Sequence, residues 1–341
     1  MKRKNKALPL GKLSSDILSR LIDRVPINDP SVIVGPGIGM DCAVVDTGSK
    51  YLVYKSDPIT FATDEIGSYA VQVNVNDIAT TGAIPRWFLL TLLLPEGETT
   101  EYLVEKITHQ VYITCAEMDI AVIGGHTEIT YGLDRPIIAG TMIGEVDYDR
   151  LITPQGSKPG DRILLTKGVP IEATAIIGRE FSDRISHFLN ETELKQATNF
   201  LETPGISVLH DAQIAQKAGK VTAMHDPTEG GLFSALWELS EACGQSLSID
   251  LSAVMIPHVA LKICRALKLD PFAAIASGAM LIVTNPYDTD SIRGALESEG
   301  IDCAEIGVIE SGPIGVWCET ESKRKKVIRP EQDEITRIFE S

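Results

Sequence analysis

A turn-rich stretch near the middle of the chain, "DYDRLITPQGSKPGD" (Asp147 to Asp161), constrains the fold more than any other feature. It places Pro154, Gly156, Pro159 and Gly160 among polar residues, the chemistry of a connector. Strand and helix patterns alternate before it and begin again after it. The 341 residues leave room for two domains of about 150 residues each. The expected division is 1–150 and 151–341. Both halves mix strands with helices, so the expected fold class is α/β (α+β), each half a layered structure.

In the first half, "KLSSDILSRLIDRV" puts Leu13, Ile17, Leu18, Leu21 and Ile22 on one helical face. Cys42–Asp46 and Tyr51–Ser56 read as strands joined by a turn at Thr47-Gly48-Ser49. "DEIGSYAVQVNVNDIATTG" reads as a helix closed by Gly82, and "RWFLLTLLL" as a buried strand. Thr99–Asp119 is an amphipathic helix. "IAVIGG" and "RPIIAGTMIGEV" read as strands flanking a loop, "GHTEITYGLD". In the second half, "KVTAMHD" is a strand and "TEGGLFSALWELSEACG" a helix with Thr228 as its N-cap.

Apolar residues make up 44% and charged residues 23%, enough for a real core. A net charge of −16 argues against nucleic acid and anionic membranes as partners. The basic clusters "KRKNK" (Lys2 to Lys6) and "SKRKK" (Ser322 to Lys326) read as solvated tails. The longest apolar run, near "WFLLTLLLP", falls far short of the roughly 20 residues a membrane span needs. The six cysteines include no CxxC pair, and no signal-peptide pattern opens the chain, so free thiols in a reducing cytoplasm are expected.

The chemistry concentrates in four aspartates beside Gly, Pro or Thr at the edges of apolar segments. Asp41 follows the glycine loop "GPGIG"; strands, not a helix, come after it, so the dinucleotide-binding reading lacks its context. Asp57 ends "YLVYKSD", and Asp226 ends "KVTAMHD". Taken singly, Asp41 and Asp57 read first as turn residues, and Asp226 could cap the helix that follows, although Thr228 is better placed. Asp77 lies on a largely apolar helix with Asn74 on its face and no Lys or Arg within a turn. A buried carboxylate needs a metal or a hydrogen-bond network. Carboxylates with few cysteines suit Mg²⁺, which commonly bridges carboxylates and phosphates. The glycines of "GPGIG", Gly37 and Gly39 among them, let backbone N–H groups approach phosphate, and "TEGGL" (Thr228, Gly230) offers a second anion site at a helix start.

The motifs "GMDCAVV", "KSDPIT", "NVNDIATTGAIPRWFLLTLLLP", "GGHTEITYGLDRPIIAGTMIG" and "MHDPTEGGLFSALWELSEA" occur in one order. That order resembles the ATP-dependent aminoimidazole ribonucleotide (AIR) synthase superfamily, PurM-like in fold. The hydrogenase maturation protein HypE is the most similar branch. The resemblance covers roughly residues 8 to 318. It implies an N-terminal domain whose sheet closes a β-barrel in a homodimer, with a C-terminal α/β domain beside it. It implies ATP and Mg²⁺ in the cleft between domains, and phosphoryl transfer to a carbonyl, amide or phosphate oxygen of a small or protein-borne substrate. By motif match, Asp41, Asp57, Asp77 and Asp226 are the metal-binding carboxylates. Asn76, Gly124 and Gly125 fall at nucleotide-binding positions.

The chain departs from the HypE pattern at several places. His126 stands where HypE has Asp, Glu128 where it has Lys, and Glu229 where it has Arg. His126 and Glu128 are the candidate catalytic side chains, His126 through a hydrogen bond or proton transfer. HypE ends in a cysteine that carries its carboxamide; this chain ends "RIFES", so a self-modifying dehydratase reaction is not expected. The tail after Pro330 is expected to be dispensable for nucleotide binding. Lys12 reads either as a phosphate contact from an N-terminal segment folded over the cleft or as an exposed helix-start lysine. Two functions remain open, an ATP-dependent enzyme and a nucleotide-binding accessory or maturation protein, beside a paralogue without ATP.

Overall fold

The computed structural model describes residues 7–320 and 323–339. The first half builds a six-stranded sheet from β1 (Val32–Val34), β2 (Ala43–Asp46), β3 (Tyr51–Ile59), β4 (Ile84–Pro95), β5 (Ala121–Thr130) and β6 (Ile137–Val146). The order is β1-β2-β3-β6-β4-β5. All neighbours are antiparallel except β4 and β5, which run parallel. Such a parallel pair needs a crossover, here the helix Glu101–Glu117 with Thr100 capping its first turn.

The second half builds a seven-stranded sheet from β7 (Arg162–Thr166), β8 (Val221–His225), β9 (Ser246–Ile249), β10 (Leu281–Thr284), β11 (Cys303–Glu310), β12 (Gly315–Thr320) and β13 (Lys323–Lys326). Its order is β13-β12-β9-β11-β7-β10-β8. The chain is thus mixed α/β with two sheet-containing domains, as the patterning predicts. The basic run after Ser322 is an edge strand and not a free tail. Arg324 lies over the Trp317 ring at 5.3 Å and Lys326 over the Trp237 ring at 5.0 Å. The cluster Lys2 to Lys6 lies outside the described residues.

The helix that positions the site is Ile66–Thr80, preceded by the shorter Ser15–Ile22. Nearly every residue of Ile66–Thr80 is buried, polar Asn74, Asn76 and Asp77 included. An apolar character on all sides marks a helix enclosed by structure, not a surface helix. It ends as its sequence predicts, with Gly82 in the left-handed region just past it at φ +78°. Strand β6 lets it come close. A Cβ at Gly140 would meet Asn74 Nδ2 at 2.6 Å, and one at Gly144 would meet Ile78 Cγ2 at 2.5 Å. Only glycine fits at either position.

The two halves share one continuous apolar core. The Asn76 side chain joins them by donating to the Ile206 carbonyl at 2.7 Å and accepting from the Val208 N–H at 2.9 Å. Among the described residues, no helix is long and apolar enough to cross a membrane. All six cysteines are free.

Candidate functional site

The four aspartates converge although they come from four separate segments. Asp41 precedes β2, Asp57 lies in β3, Asp77 lies on the buried helix and Asp226 follows β8. Asp77 carries the charges of Asp226, Asp57 and Asp41 against it. Asn74 fixes the β3 backbone here, accepting from the Asp57 N–H at 3.0 Å and donating to its carbonyl at 3.3 Å.

Asp77 has a basic partner after all. Lys55 Nζ stands 3.1 Å from Asp77 Oδ1 and 3.4 Å from Asp57 Oδ2. Lys55 comes from β3, beyond the turn of helix around Asp77. The signal was available: residues two apart on a strand share a face, so Lys55 goes wherever Asp57 goes. Burial pushes the Asp77 carboxyl well up, and Lys55 opposes that. Burial likewise works against the Lys55 charge, but Asp77 and Asp57 hold its pKa well above the usual value. One ammonium between two carboxylates favours the ionised pair.

His225 and Glu238 were not anticipated. His225 pairs through Nδ1 with Asp41 Oδ2 at 2.8 Å and through Nε2 with Glu238 Oε2 at 3.1 Å. Thr80 Oγ1 donates to the Asp77 carbonyl at 2.7 Å and lies 3.3 Å from Asp41 Oδ2. Burial disfavours an imidazolium, yet Asp41 and Glu238 raise the His225 pKa well above its usual value. Against the cost of burial, His225, Lys12 and Arg329 hold the Glu238 carboxyl down at about 2. Arg329 hydrogen-bonds both Glu238 and Ser15, so the network runs on into the segments near both chain ends.

Three carboxylate oxygens are left over. Both oxygens of Asp226 and Oδ2 of Asp77 are buried without a hydrogen-bond partner. Burial and Asp41 push the Asp226 carboxyl up to about 7, against the pull of His225. Orphaned, mutually repelling carboxylates are what a bound hard cation would satisfy. Asp41, His225 and Asp226 each offer an atom within 4.8 Å of the others. Both His225 nitrogens are engaged, however, so the imidazole positions Asp41 and the carboxylates are the donors that fit Mg²⁺.

The N-terminal segment does fold over this region. Lys12 Nζ donates to Thr228 Oγ1 at 2.9 Å, and its N–H donates to Glu229 Oε2 at 3.1 Å. Burial opposes the Lys12 charge, but Glu238, Glu229 and Asp57 raise its pKa. Thr228 is not the cap: the helix starts at Gly231 after Gly230, which takes a left-handed conformation that glycine tolerates. The anion at its start is internal, for Gly230 N–H donates to Asp333 Oδ2 at 2.5 Å. Asp333 also accepts from Ile275 and Ile335, and Ile335 and Ile338 are buried. The tail after Pro330 is therefore built into the second half.

Three further nucleotide candidates have other partners. Asn76 spends its amide on residues 206–208, docking the halves together. Gly39, at φ +71°, packs on the Glu238 carbonyl, which a Cβ would meet at 2.2 Å. Gly37 belongs to the same loop, and its carbonyl accepts from the Met40 N–H at 3.3 Å.

Residues 39–146 match the N-terminal domain of the family described as AIR synthase related protein, and residues 158–318 match its C-terminal domain. A Methanocaldococcus jannaschii protein, provisionally named a hydrogenase expression/formation protein, is 30% identical over 335 residues, 94% of this chain and 96% of its own. The chain belongs to the AIR synthase related family. Carbamoyl dehydratase HypE of Cupriavidus necator is 28% identical over 278 residues, 80% of this chain and 75% of its own. The structure of HypE in complex with ATP superposes with a TM-score of 0.71 at 21% identity, covering 93% of this chain and 96% of that one. The likeness establishes the fold.

One family motif lies elsewhere than its sequence suggests. "GGHTE" is not a loop but the middle of β5, exposed at the sheet edge. Gly125 pairs with Leu90, Leu90 with Gly140, and Gly140 with Asp57. That is three strand spacings, about 14 Å at ~4.8 Å each. Gly124, Gly125, His126 and Glu128 are thus not beside the aspartates of this chain. His126 Nε2 and Glu128 Oε2 lie 3.2 Å apart, both solvent-exposed.

Proposed function

We propose that the protein binds ATP with Mg²⁺ between its two halves and transfers the terminal phosphoryl group to an oxygen of a small or protein-borne substrate. The observation that carries this reading is the set of buried, unpartnered oxygens on Asp77 and Asp226 beside Asp41 and Asp57. The ATP complex of HypE and the carbamoyl dehydratase name of the Cupriavidus relative support it. When bound, Mg²⁺ supplies charge neutralisation for the phosphates. The four aspartates would hold it. Asn74 fixes Asp57, while His225 fixes Asp41. Lys12, bonded to Thr228, holds the N-terminal segment over the site. The work of these side chains is positioning, the larger part of catalysis for this reaction.

A homodimer belongs to the same reading. Strand β5 is exposed along its length and carries Ile123 and Ile129 into solvent. On β6, alternate residues are buried while the others, Ile137 and Ile143 among them, are only half-covered. A second copy closing on this open sheet would cover both features. In that arrangement β5 serves the interface, which accounts for its distance from the aspartates of its own chain.

Calorimetric titration with ATP, with and without Mg²⁺, tests the proposal. Binding that requires Mg²⁺ is expected, together with a higher melting temperature. A ligand at a hundredfold excess over Kd stabilises by about 2.7 kcal/mol. No metal-dependent heat and no thermal shift at millimolar ATP would overturn it. Release of ADP on adding a substrate separates turnover from binding alone.

A further inference from the structure

Beside Asp57 lies a cavity of about 420 Å³ that the aspartate cluster does not fill. Its walls combine apolar Ile59, Phe61 and Val73 with three polar groups from the second half, Glu172, Glu229 and Ser277. Glu172 is the unusual one. It sits in the first turn of the helix Ile171–Glu180, 5% exposed, and its Oε2 has no hydrogen-bond partner. Ser277 is 1% exposed, and its hydroxyl and N–H lie close enough to Glu172 to favour the carboxylate, against the burial that pushes the Glu172 carboxyl up to about 7. The charged groups that act most on Glu172 are Asp333 and Glu229, both carboxylates. Ser277 serves one side of this buried carboxyl, and the open Oε2, with like charges around it, has room for a further donor from outside the chain.

Two basic groups stand in the wall away from Glu172: the Lys12 ammonium bonds the Thr228 hydroxyl while its backbone N–H bonds Glu229, and Arg135 donates to the Thr60 carbonyl at 3.1 Å while pairing with Asp134. With Asp333 and Glu229 as the charged groups acting on Glu172, that end of the cavity is acidic, while its flanks are apolar.

We propose that this cavity is the second-substrate pocket and that it takes a small molecule bearing a cationic nitrogen, an amine or amidinium, on an apolar body. Glu172 and Ser277 receive the nitrogen head, Glu229 adds charge at the mouth, and Phe61, Ile59 and Val73 cover the body. Only the word "second" rests on reading the adjoining aspartates as an ATP site; the binding itself does not.

The test uses benzylamine, benzyl alcohol and benzoate as a matched set, followed by saturation-transfer NMR on the full chain. High salt screens the net charge of −16, so that non-specific attraction of amines is suppressed. Benzylamine is expected to bind, with the alcohol weaker and benzoate silent. Glu172→Gln, close in shape, should weaken benzylamine by at least about tenfold, the worth of one charge-assisted hydrogen bond. Ser277→Ala should weaken it less. Mg²⁺-dependent ATP binding should be unchanged in both variants, which also shows that they are folded. Equal binding of all three probes, no binding of benzylamine, or an unaffected Glu172→Gln would each overturn the inference. Benzylamine binding without any ATP binding would leave the pocket standing and remove the phosphoryl-transfer reading instead.

Discussion

Replacing Lys55 with methionine tests how the empty cluster tolerates its own charge. The side chain keeps its length but loses the ammonium 3.1 Å from Asp77 and 3.4 Å from Asp57. Asp77 is then a buried carboxylate facing Asp226, Asp57 and Asp41 with nothing opposite. Breaking a buried pair by removing one partner typically costs about 3–5 kcal/mol. Here proton uptake sets a ceiling. Holding a carboxyl neutral at pH 7, against an unfolded pKa near 3.9, costs about 1.36 × 3.1, or roughly 4 kcal/mol. At pH 5 the same ceiling is about 1.5 kcal/mol. The sign follows from proton binding: the folded variant holds a proton that the unfolded chain has released, so its stability falls as pH rises from about 4. Urea denaturation of wild type and Lys55→Met at both pH values reads the difference. The variant should lose up to about 4 kcal/mol at pH 7 and markedly less at pH 5, and Mg²⁺ should restore part of the loss. An equal loss at both pH values, or no loss at pH 7, would refute the ionised pair.

Asp77→Asn should weaken Mg²⁺-dependent ATP binding by roughly 10- to 100-fold, the worth of one charged contact, while the apo protein stays folded with Lys55 still beside Asp57; calorimetry and a melting curve decide, and unchanged affinity would remove Asp77 from the metal set. Ile129→Lys should convert a dimer into a monomer in light scattering at micromolar concentration, since it puts charge into an edge strand that the partner would cover; a wild-type monomer would remove the dimer altogether. Burial raises the Asp333 carboxyl to about 6, against its three N–H donors. The folded state therefore binds this proton more tightly than the unfolded one between about pH 4 and 6, and the carboxyl's contribution to stability falls by about 2–3 kcal/mol as pH rises through that window. Asp333→Asn should remove that slope in denaturation curves at pH 4, 5 and 6, and parallel wild-type and variant profiles would contradict it.

Local chemistry made the elements legible. The β-branched run after Asp41, the buried helix ending at Gly82 and the connector around Pro154 were readable because turns, caps and periodicity act over a few residues. What lay outside that range was the pairing of distant segments. Lys55 and Asp77 meet across a strand and a helix, and helix spacing around Asp77 gives no sign of that pairing. His225 sat next to Asp226 in sequence, but nothing local shows Glu238 waiting for its other nitrogen. "GGHTE" looked like a loop because glycines and polar residues dominate it; as an exposed edge strand it has no apolar face to announce itself. Asp333 was invisible for a similar reason, since an acidic residue in a polar tail gives no sign that it will cap a helix in the core.

Asp41 and its imidazole partner are 184 residues apart in sequence. Contacts of such separation are slow to form, because a long loop must close before they return any energy. The cluster cannot exist in either half alone, nor in a collapsed intermediate whose halves have yet to dock. A metal captured by these carboxylates would therefore mark the last event of folding and leave the earlier steps unaccelerated. It would act as a brake on unfolding, lengthening the lifetime of the assembled chain.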